Sequence, residues 1–147
     1  MIIEKTGNIF DTDARLIGHG VNTYGAMASG IALQFKERYP EMHDNYVDLC
    51  QKVEERYLLG TAAVWADGPS IANIFSQNLP GPHANYIWAI EGIADALRYA
   101  IINGIETLAL PQIGCGVGGL EWDVMKRLIT GQFGDYPVDI ELWTYQP

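Results

Sequence analysis

Hydrophobic and polar positions along the chain change period several times, and each change marks a predicted element. Ile2-Ile3-Glu4-Lys5 reads as a short strand ended by Gly7-Asn8, and Ala14 to Val21 is an apolar run of strand length. From Met27 to Tyr39 the positions Met27, Ile31, Phe35 and Arg38 recur at helical spacing, and Pro40 suits the start of a second helix, Glu41 to Val53. Leu58 to Ala66 and Ser70 to Ser76 read as two strands joined by Asp67-Gly68-Pro69, a hairpin-type turn. Asn85 to Asn103 repeats apolar residues at Ile87, Ile90, Ile93 or Ala94, Leu97 and Ile101, a helix stopped by Asn103-Gly104. There follow a short strand, Thr107 to Pro111, a glycine loop, Gln112 to Gly119, and a helix, Glu121 to Thr130. Val138 to Tyr145 closes the chain with strict alternation, the signature of a strand.

No linker, charge block or internal repeat divides these elements. Strands alternating with helices predict one α/β domain over residues 1–147, built as three α/β/α layers around a mixed central sheet. A length of 147 residues with 48% apolar content suits a single core of that kind.

Charge narrows the function classes. Eighteen Asp and Glu against nine Lys and Arg give a formal net charge of −9. Such a surface repels phosphate backbones and anionic head groups, which argues against a nucleic-acid coat or a membrane-surface role but leaves room for a local nucleotide pocket. Leu16 to Phe35 and Gly68 to Ile90 carry no Lys, Arg, Asp or Glu, yet their glycines, prolines and amides are wrong for a membrane span. Cys50 and Cys115 are far apart and lack metal-ligand spacing, so no metal site or disulfide framework is expected. Reduced thiols and the lack of a secretory pattern at Met1 to Gly7 make the cytoplasm the expected location.

Two glycine-bearing loops carry the candidate chemistry. Gly114 to Gly119 lies between a strand and a helix, where backbone N–H groups converge and the helix dipole favours an anion; glycine content alone fits a tight positive-φ connection equally well. Asn22-Thr-Tyr-Gly-Ala-Met-Ala-Ser-Gly30 also links a strand to a helix and also contains no Lys or Arg. If both face one ligand, a diphosphate would be held by neutral backbone donors. His19, Asn22, Gln77, Asn78, His83 and Gln112 accompany these loops; singly each reads better as turn chemistry or a core histidine, and only the cluster points to a site. Walker, Gly-x-Ser-x-Gly, HExxH and paired-carboxylate templates all fail. The four tryptophans read as core or partly buried aromatics.

Val21-Asn22-x4-Met27-x2-Gly30-Ile31-Ala32 followed by Leu110-Pro111-x-Ile113-Gly114-Cys115-Gly116-Val117-Gly118-Gly119-Leu120-x-Trp122 resembles the macrodomain family of ADP-ribose binders. Gly7-Asn8-Ile9-Phe10 at the front and the terminal Trp-Thr-Tyr extend the match over the whole chain. Residues 30–42 resemble the branch of terminal ADP-ribose glycohydrolases, including the antitoxin that removes ADP-ribose from DNA. They also resemble the fungal ADP-ribose 1″-phosphate phosphatases, which share the features at 46–50 and 58–60.

The resemblance implies a cleft for ADP-ribose or a derivative of it, with an ADP-ribosylated macromolecule as a further candidate partner and no cofactor or metal. It implies that Asn8 and Ile9 face adenine, that Gly25, Met27, Gly30 and Ile31 hold phosphate and distal ribose, and that Asn22 reaches the distal ribose. Gly114, Cys115, Gly116, Val117 and Gly118 are expected around the diphosphate, with Gln77 and Tyr145 also among the ligand-binding residues. Three positions depart from the family: Asn8 replaces the usual Asp, Gln77 or Asn78 stands where the glycohydrolase Lys is expected, and Gly118 stands where some members carry an Asp. An amide forms no Schiff base, so Lys-type deglycosylation is not expected. His19 aligns with a His of the phosphatases, which gives the leading expectation: hydrolysis of ADP-ribose 1″-phosphate with His19 as acid or base and Asn22 placing the ribose. The alternatives are a non-catalytic ADP-ribose reader or sequestering module, and an ADP-ribosyl hydrolase working without the Lys.

Overall fold

A computed structural model describes residues 1–146. Six strands form one sheet in the order β1-β6-β5-β2-β4-β3. They are β1 (Ile2–Gly7), β2 (Leu16–Asn22), β3 (Ala62–Ala66), β4 (Ser70–Gln77), β5 (Thr107–Leu110) and β6 (Asp139–Tyr145). All neighbours are parallel except the β3–β4 hairpin, so the sheet is mixed with an antiparallel edge. The helices α1 (Gly30–Arg38), α2 (Pro40–Lys52), α3 (Glu55–Leu58), α4 (Tyr86–Ile102) and α5 (Trp122–Phe133) complete the fold. None of the described helices is long and apolar enough to cross a membrane.

Two apolar clusters show how the layers are made. Leu16, Ala72, Ile74, Leu108 and Leu110 pack with Ile93 and Leu97 of α4 and Met125 and Ile129 of α5. Ile17, Val21, Ile71, Phe75 and Ala109 pack instead with Phe35 of α1 and Met42 and Tyr46 of α2. Even and odd positions of β2 thus go to opposite faces, as strand alternation requires, and the sheet is covered on both. This is the three-layer α/β fold that the sequence pattern predicts. Trp65, Trp122 and Trp143 pack against these clusters while staying partly exposed.

One segment departs from expectation. The strand read from Leu58 begins only at Ala62, because Glu55–Leu58 is a helical turn that buries Leu58 against the α1–α2 layer. Gly60 then turns the chain at φ 79°, and its N–H donates to Phe75 O. The Pro40 reading holds, with proline in the first turn of α2, where no intrahelical N–H is needed.

Helix α4 approaches the sheet most closely at Gly92. A Cβ there would stand 2.5 Å from Ile74 Cγ2 and 3.3 Å from Thr61 O. Gly92→Ala is therefore expected to push α4 off β4 and cost about 1–3 kcal/mol, the usual range for overpacking. Urea denaturation checks this: the midpoint should fall with the slope unchanged.

Candidate functional site

Strands β2 and β5 are neighbours, yet they send the chain to opposite faces of the sheet. After β2 the chain enters α1 and α2 on one side, and after β5 it enters α5 on the other. Their pairing covers only Leu16 with Leu108 and Ile17 with Ala109. Beyond that the carboxyl ends part, and ligands of open α/β sheets bind at such a switch point. A cleft of about 370 Å³ opens there, within the size range of small-molecule sites. Gly20 and Val21 lie at its base, the loops after β2 and β5 form two sides, and Gln77, Gly81, Trp143 and Tyr145 complete the lining. Among the described residues, no Lys, Arg, His, Asp or Glu lines it.

The loop after β5 is folded on itself. The N–H of Cys115 donates to Gln112 O, that of Gly119 to Gly116 O and that of Leu120 to Gly114 O. Gly114 sits at φ 74°, and a Cβ on Gly118 would lie 2.6 Å from Gly114 O, so the turn closes only with glycine at both places. Among the described residues, the N–H groups of Gly114, Gly116, Val117 and Gly118 find no acceptor in the protein. Successive free amides of this kind form a concavity suited to an anion.

The loop after β2 adds donors from the facing side. Ala28, Ser29, Gly30 and Ile31 line the cleft, Ser29 supplies no side-chain cap to α1, and the first N–H groups of that helix carry the positive end of its dipole. Asn22 ties this loop to the strand: its Oδ1 accepts from Gly25 N at 3.0 Å and Ala26 N at 3.1 Å, and its Nδ2 donates to Ala26 O at 2.9 Å. Across the cleft Gln77 Nε2 donates to Leu79 O at 2.7 Å and Gly81 O at 3.1 Å, holding the loop after β4. Among the described residues no group of three or more His, Cys, Asp or Glu is placed to hold a metal ion.

The "Macro domain" family profile matches residues 19–129. The chain belongs to the macro domain family. Among its relatives, a DNA ADP-ribosyl glycohydrolase of Mycobacterium tuberculosis is 30% identical over 152 aligned positions covering 100% of this chain and 42% of the relative. The chain thus spans less than half the length of that protein. An ADP-ribose 1″-phosphate phosphatase of Candida glabrata is 40% identical over 141 positions, 91% of this chain and 77% of the relative. The solved macrodomain of Mycobacterium tuberculosis DarG superposes with a TM-score of 0.84 at 29% identity, covering 99% of each chain.

In this macro domain, Asn22, Gly30, Ile31, Gln77, Gly114, Cys115, Gly116, Val117, Gly118 and Tyr145 all line the one cleft. Other expected ligand residues do not. Met27 is 2% exposed in the core beneath the first loop, and Gly25, whose N–H donates to Asn22 Oδ1, is not part of the lining. Asn8 spends its oxygen on Phe10 N at 3.0 Å as the cap of a 3₁₀ turn over Ile9–Asp11, and Ile9 is buried at 3% exposure. Neither residue is part of the cleft lining. The Cys115 thiol is pushed up to about 11 by burial and donates to Ile113 O, so near neutral pH it is no nucleophile. The lining adds Ser29, Gly81, Gln112 and Trp143, which the sequence reading left out of the ligand set. Ser29 and Gln112 were legible from their places in or beside the glycine loops; Gly81 and Trp143 read as turn and core.

His19 is the largest correction. As an odd position of β2 it points into the α1–α2 layer, away from the cleft, where it is 0% exposed and stacks on Phe35 with centroids 3.9 Å apart. Its Nε2 lies 2.6 Å from Asn73 Oδ1, an acceptor, so this nitrogen carries the proton, and its Nδ1 has no partner. Burial lowers its pKa from 6.5 to about 4, against the opposing hydrogen bond that it donates to Asn73. A neutral ring sealed in the core cannot protonate or activate a ligand in the cleft. Asn22, expected to place the ribose, does line the cleft, with its Oδ1 committed to the loop.

The His19 shift has a stability consequence. The unfolded chain binds this proton more tightly, so the fold keeps its full stability above pH 6.5 and loses it as pH falls from 6.5 toward about 4. The full loss corresponds to roughly 3 kcal/mol at 1.36 kcal/mol per pKa unit. His19→Phe, which keeps an aromatic ring against Phe35, should remove this component from the pH dependence of the unfolding free energy. An identical slope in wild type and variant would contradict it.

Proposed function

We propose that this macro domain binds ADP-ribose, capturing the diphosphate with backbone N–H groups rather than with basic side chains. The observation that carries the reading is the set of four unpaired amides at Gly114, Gly116, Val117 and Gly118, set in a cleft without ionisable lysine, arginine or carboxylate. Neutral, preorganised donors hold an anion without the desolvation cost of a buried charge. The first-turn amides of α1 face the same space, so a ligand with two linked phosphates can be held from both sides. Relatives named for ADP-ribose chemistry support the same ligand class.

Hydrolysis of ADP-ribose 1″-phosphate stands as the second reading, favoured by the phosphatase name of the relative that is 40% identical. In this chain it cannot use His19. It would rest on water held by the amide cradle, with the charge of the transferring phosphoryl group stabilised by the same donors. Lys-dependent glycohydrolysis, suggested by the name of the relative that is 30% identical, lacks its nucleophile, since Gln77 or Asn78 stands where that lysine is expected and an amide forms no Schiff base.

Calorimetric titration with ADP-ribose, run beside a phosphate-release assay on its 1″-phosphate, separates these readings. A micromolar dissociation constant, about −8 kcal/mol, is expected for ADP-ribose, with AMP much weaker. Gly116→Glu should abolish binding with an unchanged circular dichroism spectrum, because a side chain there meets open space yet carries a negative charge into the cradle. ADP-ribose binding no tighter than AMP would refute the assignment; release of phosphate by the wild type would select the second reading.

A further inference from the structure

Beneath the first loop, three donors converge on a single oxygen. Asn22 Oδ1 accepts from Gly25 N and Ala26 N, and the Tyr46 hydroxyl shares its single hydrogen between that oxygen at 2.9 Å and the backbone oxygen of Asn22 at 2.5 Å. Reversing the amide would turn Nδ2 onto the N–H groups of Gly25 and Ala26, so the oxygen must face inward. One Nδ2 hydrogen then goes to Ala26 O and the other has no acceptor in the protein, while Asn22 lines the cleft. Gly25 and Ala26 belong to the loop itself and move with it. Tyr46 does not: it is rooted in α2, 1% exposed, and stacked on Phe75 of β4 with ring centroids 6.1 Å apart.

We propose that Tyr46 is a positioning residue of the ligand site, tying both oxygens of Asn22 to the core so that the cleft meets an amide N–H, never a carbonyl, at this point. The ligand group recognised there is consequently an acceptor oxygen, which, on the reading of the cleft as an ADP-ribose site, belongs to the sugar beyond the diphosphate. Burial pushes the Tyr46 hydroxyl far above the ordinary tyrosine range, and the adjoining Cys50 thiol is pushed up to about 11. Both stay protonated at working pH, so Tyr46 acts as a fixed donor and takes no part in proton transfer.

Tyr46→Phe keeps the ring against Phe75 and removes only the hydroxyl. Titrated with ADP-ribose and with ADP, which has the adenine and the diphosphate but no second sugar, the variant should bind ADP-ribose about 10-fold more weakly and ADP within about twofold of wild type, as expected for one lost hydrogen bond. Equal losses for both ligands would mean general loosening and would overturn the proposal, as would an unchanged ADP-ribose affinity. Hydrogen exchange gives a ligand-free readout: the amides of Gly25 and Ala26 should be protected in the wild type and exchange at least about 10-fold faster in Tyr46→Phe, with α4 unaffected. Unprotected amides in the wild type refute the proposal even if the variant does not fold. A wild type that fails to bind ADP-ribose while showing this protection would overturn the ligand assignment and leave the Tyr46 lock standing.

Discussion

Everything in the site depends on the parting of β2 and β5. Two adjacent parallel strands whose chains leave toward opposite faces cannot stay paired at their carboxyl ends, and here the ladder covers only Leu16 with Leu108 and Ile17 with Ala109. The crevice that results is walled by the two connecting loops, each of which must turn sharply and so leaves amides without intrachain acceptors. Binding an anion there follows from topology before any particular side chain is considered.

The absence of charge from the cleft lining fits a protein carrying a net charge of −9. An anionic ligand approaching such a surface meets repulsion at long range that a screening salt reduces within about 10 Å. Affinity then has to arise at contact, from dipoles already aimed at the ligand. Backbone amides suit this because the hydrogen bonds of the loop itself hold them in place: Cys115 N, Gly119 N and Leu120 N are all spent on keeping the turn closed. Specificity beyond the anion then rests on the few side chains held rigidly at the rim, of which Asn22 is the best anchored.

Most of the fold was legible because periodicity reports which face is buried. The long helix around α4, the β3–β4 hairpin and the closing strand all stood out in the pattern of apolar residues. The turn at Glu55–Leu58 did not, since four residues are too few to show a helical period. The two glycine loops were legible as loops, and most of their residues do line the cleft. His19 was misplaced by reasoning along the chain instead of across the sheet. It adjoins the Asn22 loop in sequence, but strand alternation puts Ile17, His19 and Val21 on the α1–α2 face, and of these only Val21, near the strand end, reaches the cleft beside Gly20. Asn8 and Ile9 lie outside the cleft lining, where a tight 3₁₀ turn engages the Asn8 oxygen and buries Ile9.

One feature of the site has no sequence signal at all. Register between β2 and β4 runs evenly to Val21 with Phe75 and then skips, so that Asn22 faces Gln77 and Ser76 is the extra residue of a bulge. Without that skip Asn22 would lie opposite Ser76, and Gln77 would fall one place beyond the strand end. The bulge therefore brings Asn22 and Gln77 level at the cleft and lets each amide brace the loop that follows it. Its cost is visible beneath: the Ser76 hydroxyl is fully buried without a partner, 2.7 Å from where a Cβ of Gly20 would stand. Together with His19 Nδ1 it makes up the unpaired buried side-chain polar atoms among the described residues. Both lie on the β2–β4 pair that carries the first loop, and the Ser76 hydroxyl is left unpaired at the very bulge that sets Asn22 level with Gln77.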